Sequence, residues 1–305
     1  MAVVSTVPAV TRRAQARLGI LLALPVAVIT AIFFVFPMLN ALYYSVVDFD
    51  GLDPTPPFVG LSNFTEMFTD SATWHALGNN AIWIVIGTAA PMIIGLLVAV
   101  VIWSGRRGGS VYRVLFFLPF MLPGVAIGIV WGWIYDPVNG WVNRVLGAVG
   151  LGDLSRGWLG DPNIAIFAVL ATAIWATCGF VTMIILSALR NVDVELVDAA
   201  RIDGANAVQR LWHILLPQIM PVFLMVLTLT LVGGFSVFDI IFIMTGGGPA
   251  DATDVLGTYA YSSAFQLNRI SYGTVLALLI TVLAVPFTIM LNRLQRRLSL
   301  QGLGA

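Results

Sequence analysis

Few residues of this chain can do chemistry by themselves. It has one cysteine, Cys178, two histidines, His75 and His213, and fifteen arginines but no lysine. Without lysine there is no P-loop lysine, Schiff base or lysine general base, so the chain is no nucleotide motor on its own. A single thiol excludes an internal disulfide, and with two histidines it makes too few ligands for a metal site. No GxSxG or HExxH occurs either. No catalytic residue, bound cofactor or metal is expected, and any ATP chemistry must come from a partner.

One segment does concentrate charge in a pattern: NVDVELVDAARIDGANAVQRLWHILLP, residues 191–217. It reads as helix, glycine break, helix. Asp193 can cap the first helix, with Glu195 and Asp198 near its positive end, and Gly204 supplies the turn. Ala199, Ala200 and Ala205 make a smooth knob beside the acids Asp193, Glu195, Asp198 and Asp203. That shape suits a partner's groove and predicts a docking element for a separate protein. By spacing alone it also fits a plain connecting hairpin along the membrane surface. The second half predicts Val208, Leu211, Trp212 and Leu215 packed against a bundle, with Pro217 ending the helix. His213 beside Trp212 reads as packing rather than a pH switch.

The elements that position this loop follow from composition. The 305 residues are 59% hydrophobic and 10% charged, with a mean hydropathy of +0.95, which places the chain in a membrane. Zero net charge removes the motive for nucleic-acid binding. Apolar runs long enough to cross the hydrocarbon fall near 18–43, 81–103, 114–135, 164–189, 218–244 and 273–291. Their continuous apolarity predicts an all-α integral membrane protein with six transmembrane helices rather than a barrel. The first run is too long for a secretory signal and lacks a cleavage site, so it is read as an uncleaved span. Twelve arginines flank one side of the spans, and Arg144, Arg156 and Arg269 the other. The positive-inside rule then places both termini and the 191–217 loop in the cytoplasm. The domain plan is a cytoplasmic tail 1–17, a transmembrane domain 18–293 and a cytoplasmic tail 294–305.

On the outer side, residues 48–80 predict a proline turn followed by a short amphipathic helix. The stretch TGGGP predicts a turn with positive φ before Pro249. Pro119 and Pro123 predict a kink or break in the third span, where a pathway opens or a helix simply bends. Asp239 is the one acid inside an expected span, and it needs a partner or water, either as pathway lining or by reaching the outer surface.

The motif DAARIDGAxxxxxxxxILLP resembles the EAA loop of the inner-membrane permeases of bacterial ABC importers. Asp198 stands for the usual Glu, Ala199 and Ala200 match, Gly204 follows at the family spacing, and Ile214, Leu216 and Pro217 close the motif. The segments VGLSNFTEMF, YRVLFFLPFMLPGVAIGIVWGWIYDPVNGWVN and FDIIFIMTGGGPADATDVLGTYAYSSAF extend the resemblance to the carbohydrate branch related to the maltose and glycerol-phosphate permeases, over about residues 12–297. The resemblance implies a type I ABC importer permease fold in the bacterial inner membrane. Its partners would be a second permease, an ATPase dimer that binds ATP and Mg, and an extracytoplasmic substrate-binding protein. Glu195, Asp198, Ala199, Ala200, Asp203, Gly204, Ala205, Ile214, Leu216 and Pro217 would then couple to the ATPase. By ungapped spacing from the loop, Ala176, Thr177, Phe180, Thr230, Gly233, Gly234 and Val237, with Asp239, would line the substrate path, Phe180 stacking on a sugar face. Several polar contacts of the family are Gly or Val here, which speaks against maltose itself. The alternative is an ATP-independent secondary transporter or channel, which would need charged groups on several spans.

Overall fold

The computed structural model describes residues 9–105, 114 and 116–302. The arginines at 106, 107 and 113 and the start of the expected third span lie outside these residues.

Thirteen α-helices carry the described chain: α1 (Ala9–Thr30), α2 (Phe36–Tyr44), α3 (Ser62–Thr69), α4 (Ser71–Ser104), α5 (Gly124–Ile134), α6 (Trp141–Ala148), α7 (Ala165–Leu189), α8 (Val194–Ile202), α9 (Ala207–Arg210), α10 (Leu216–Phe235), α11 (Asp239–Met244), α12 (Leu256–Tyr261) and α13 (Ile270–Gly302). Helices dominate because hydrocarbon offers backbone groups no partner, and a helix satisfies its own. Five stretches are long and apolar enough to cross a membrane: Ala16–Tyr44, Ser71–Ser104, Ala165–Leu189, Ala207–Phe235 and Ile270–Arg297. The third expected span is represented by the shorter α5.

That span is broken where its prolines predict. A one-turn 3₁₀ segment, Leu118–Met121, ends at Leu122 (ψ 140°) and Pro123 (ψ 139°), both extended, before α5 begins. Proline has no N–H to continue the ladder and pushes its predecessor out of the helical region. The fifth span, expected as one helix to Met244, is also interrupted. It stops at Phe235 and resumes at Asp239, with Phe238 in a non-helical conformation (φ −150°, ψ −62°). Gly257 admits the Val237 carbonyl at this break, since a Cβ there would sit 2.8 Å from that oxygen.

Pro217 does not end its helix, contrary to expectation. The chain runs from Ala207 to Phe235 through a π-helical turn, Leu211–Leu215. The wider turn accommodates a proline that lacks an N–H and crowds the carbonyl four residues earlier. The facing of the loop also differs. Leu215 is buried and Leu211 packs on the core, but Val208 and Trp212 are exposed.

Packing is densest between α4 and α7, where Gly95 lets the helices touch: a Cβ would lie 2.6 Å from Val181. Small residues permit such approach in membrane bundles, where dispersion replaces the hydrophobic drive. At one end of the bundle the connections interlock. Asp70 caps α4 through the Ala72 amide (2.9 Å) and accepts from the hydroxyls of Tyr259 (2.5 Å) and Tyr272 (2.6 Å). Burial opposes ionisation of Asp70, but the bonds from Tyr259, Tyr272, Ala72 and Thr73 outweigh it and hold its pKa below the usual value. Arg269 pairs with Glu66 at 2.5 Å. The glycine turn forms as predicted at Gly246 and Gly247 (φ +61° and +94°) and precedes a cis Gly248–Pro249 peptide. The short amphipathic helix expected before span two is present as α3, and Pro54, Pro56 and Pro57 lie in bent and irregular chain before it.

Candidate functional site

The hairpin is assembled by local capping. Asp193 accepts from the Glu195 amide (2.9 Å) and starts α8. Gly204 (φ +81°) makes the turn. Asn206 and Gln209 then form a reciprocal capping box at 2.8 and 2.9 Å that starts α9. Arg210 donates to the Ala205 carbonyl (2.6 Å), bracing the turn from inside. The tip presents Glu195, Asp198, Ala199, Asp203 and Gly204 to solvent, with Ala200 and Ala205 half-buried behind them. Asp198 pairs with Arg201 at 3.0 Å on the surface, a contact worth about 0–1 kcal/mol. Ile202 is 87% exposed and Leu196 53%, so the hairpin shows apolar as well as acidic surface. Its anchor is Val197, buried in one cluster with Leu189, Val192, Leu215 and Leu216. Ile214 packs against that cluster, and Pro217 is exposed.

The other expected residues converge. Ala176, Thr177, Phe180, Thr230, Gly233, Gly234, Val237 and Asp239 all line one half-open cavity of about 280 Å³. Its walls come from α4, the broken span, α7, α10 and α11. Spacing from the loop missed Trp83, Phe120, Gly124, Ile127 and Ala173, which share the lining. Phe180 is stacked on Phe120, centroids 4.5 Å apart, so one of its faces is already covered.

Asp239 sits where two breaks meet. It opens α11, and its carboxylate rests against Gly124 at the start of α5, where a Cβ would overlap it. The carboxylate thus lies at the starts of both α5 and α11. The hydroxyls of Thr177 and Thr230 add polarity to an otherwise apolar wall, although Thr230 also donates to the Val226 carbonyl (3.1 Å).

The described chain is thus a bundle of apolar helices with a half-open cavity between broken spans and a capped hairpin at one end. Residues 91–300 match the family described as binding-protein-dependent transport system inner membrane component. The chain is 32% identical over 266 residues to the probable ABC transporter permease protein YurN of Bacillus subtilis (strain 168), covering 87% of this chain and 91% of that one. It is 29% identical over 282 residues to the trehalose/maltose transport system permease protein MalF of Thermococcus litoralis, covering 92% and 95%. A chain in the crystal structure of a bacterial alginate ABC transporter, in complex with alginate pentasaccharide-bound periplasmic protein, superposes with a TM-score of 0.81. That chain is 22% identical, and the match covers 94% of this chain and 96% of that one.

The fold is thus that of a type I ABC importer permease. The chain belongs to the family of inner-membrane components of binding-protein-dependent transport systems, and it is a multi-pass protein of that membrane.

Proposed function

We propose that this chain is one of two permease subunits of an ATP-driven sugar importer and forms half of its translocation path. The hairpin 191–217 docks in a groove of a partner ATPase dimer, which binds ATP and Mg. An extracytoplasmic binding protein delivers the sugar to the opposite end, and both termini face the cytoplasm. Alternating access needs one bistable bundle biased from each end, and a docked hairpin supplies the inner bias.

The observation that carries this reading is a single short connection. Helix α7 lines the cavity with Ala176, Thr177 and Phe180, and two turns later leads through Asn191 into the capped docking helix. A displacement of the hairpin therefore reaches the cavity wall through a turn of only four residues, 190–193, of which Val192 is packed in the core. The sugar class is supported by the names of the relatives and by the lining. Hydroxyls, a carboxylate and aromatic rings are the groups that bind polyhydroxylated rings.

The test is Gly204→Arg. Among the described residues, chain neighbours aside, nothing lies within 4 Å of a Cβ at that position, so a side chain there starts into open space. The variant should insert normally yet lose ATP-driven uptake by at least about tenfold, the loss expected when a docking surface is blocked. Gly204→Ala should keep uptake, at a backbone cost of about 1–2 kcal/mol for the left-handed φ. Normal uptake by Gly204→Arg would remove the docking assignment.

A further inference from the structure

A second cavity, of about 470 Å³, lies beside the first and is lined by Phe117, Met183, Ser187, Asn191 and Val222. Chain direction orders the two. Along α7, Ala176 and Thr177 come before Phe180, and Met183 and Ser187 after it, with Asn191 just past the helix end, toward the hairpin. Helix α10 runs the other way and puts Val222 nearer the hairpin than Thr230. The broken span puts Phe117 before Phe120 and Gly124 after it. Three elements thus agree that the second cavity is the hairpin-side vestibule of the first.

Among the described residues the two cavities share only Phe120 and Phe180. Their rings are stacked at 22° and 4.5 Å, so the pair is the wall that the two half-open cavities have in common. A stacked aromatic pair excludes water and a hydrated solute, and it can part without stranding a buried polar group.

The two rings are mounted differently. Phe180 belongs to the 25-residue α7, packed on both sides. Phe120 rides on the one-turn segment Leu118–Met121, set off from α5 by the extended Leu122 and Pro123. Just before that segment, Phe116 and Phe117 rest backbone-first on α7, because Gly179 has no side chain to hold off the Phe116 carbonyl. The break is a place where φ and ψ can change without opening a helix. Asn191, in the vestibule wall, is two residues from Asp193, the cap of the docking helix.

We propose that Phe120 and Phe180 are the inner gate of this permease. On this chain's half of the path the stacked pair closes the way from the substrate cavity to the cytoplasmic vestibule, and it opens when the segment Leu118–Met121 swings away from α7 about Leu122–Pro123. This assignment rests on reading the larger site as a transport path.

Cysteine accessibility tests it in the complete complex, in inside-out vesicles, with Cys178→Ser as background. A membrane-impermeant maleimide should label Ser187→Cys quickly. It should label Thr177→Cys at least about tenfold more slowly, as for a gate open about 10% of the time or less. Adding Phe120→Ala and Phe180→Ala should bring Thr177→Cys to the Ser187→Cys rate. Phe120→Ala alone serves if the double variant does not insert. Leu229→Ala, which also lines the cavity but is not shared with the vestibule, should leave the protection intact. Thr177→Cys reacting as fast as Ser187→Cys with both rings present, or still protected without them, would overturn the gate. The labelling needs no ATP, so it reads the gate separately from transport. Absence of ATP-driven sugar uptake by the wild-type complex would overturn the transport reading instead.

Discussion

The Asp254 carboxyl is enclosed by the loop that follows Gly246 and Gly247. Burial pushes its pKa up from 3.8 to about 6, against the hydrogen bond from Thr258, with Asp251 adding to the rise and His75 opposing it. A raised folded value means that the folded loop holds its proton to higher pH than the unfolded chain. The stabilisation is therefore complete below about pH 4 and is lost as pH rises through 6. Protection factors for the amides of residues 253–258 should fall over that range, and Asp254→Asn should keep them level. The same fall in the variant would assign the effect to another group. Single residues such as this were not legible in the sequence. Nothing in TGGGPADATD says which of its acids is enclosed, because enclosure depends on Asn79, whose amide donates to the Asp254 and Ala252 carbonyls (2.8 and 3.1 Å).

Elements were legible where local chemistry sets them. The Asp193 cap, the Gly204 turn and the break at Pro123 follow from rules that act within a few residues. The facing of elements was not. Val208 and Trp212 share helical spacing with Leu211 and Leu215, yet the four do not face one way, since spacing alone cannot say which side of a helix a neighbour covers. The contact between α7 and the broken span gives a sharp test at this scale. A Cβ at Gly179 would overlap the Phe116 carbonyl, whereas one at Gly132 meets nothing within 4 Å among the described residues. Gly179→Ala should destabilise the purified complex by about 1–3 kcal/mol, the usual cost of overpacking. Gly132→Ala should not, because alanine in a helix interior gains about 0.5–1 kcal/mol over glycine. Thermal unfolding in detergent measures both, and equal midpoints for the two variants would contradict the close approach.

For the whole molecule, the testable property is sidedness. With Cys178→Ser as background, Asp203→Cys should react with an impermeant thiol reagent only from the cytoplasm, and Asp153→Cys only from outside. The reverse pattern would invert the assigned topology, which rests on the arginine distribution. What the sequence determined by itself was the part that a bilayer enforces residue by residue: apolar length, helix as the sole spanning form, arginine placement and the capped hairpin. Only the tertiary structure decided which sides of those helices meet. In hydrocarbon the buried and lipid-facing sides are both apolar, so periodicity carries almost no inward signal. Spacing from the motif reached Ala176, Thr177 and Phe180 of α7, Thr230, Gly233 and Gly234 of α10, and Val237 just beyond it. Trp83, Phe120 and Gly124 lie on elements that carry no such motif, and only packing brought them to the same wall.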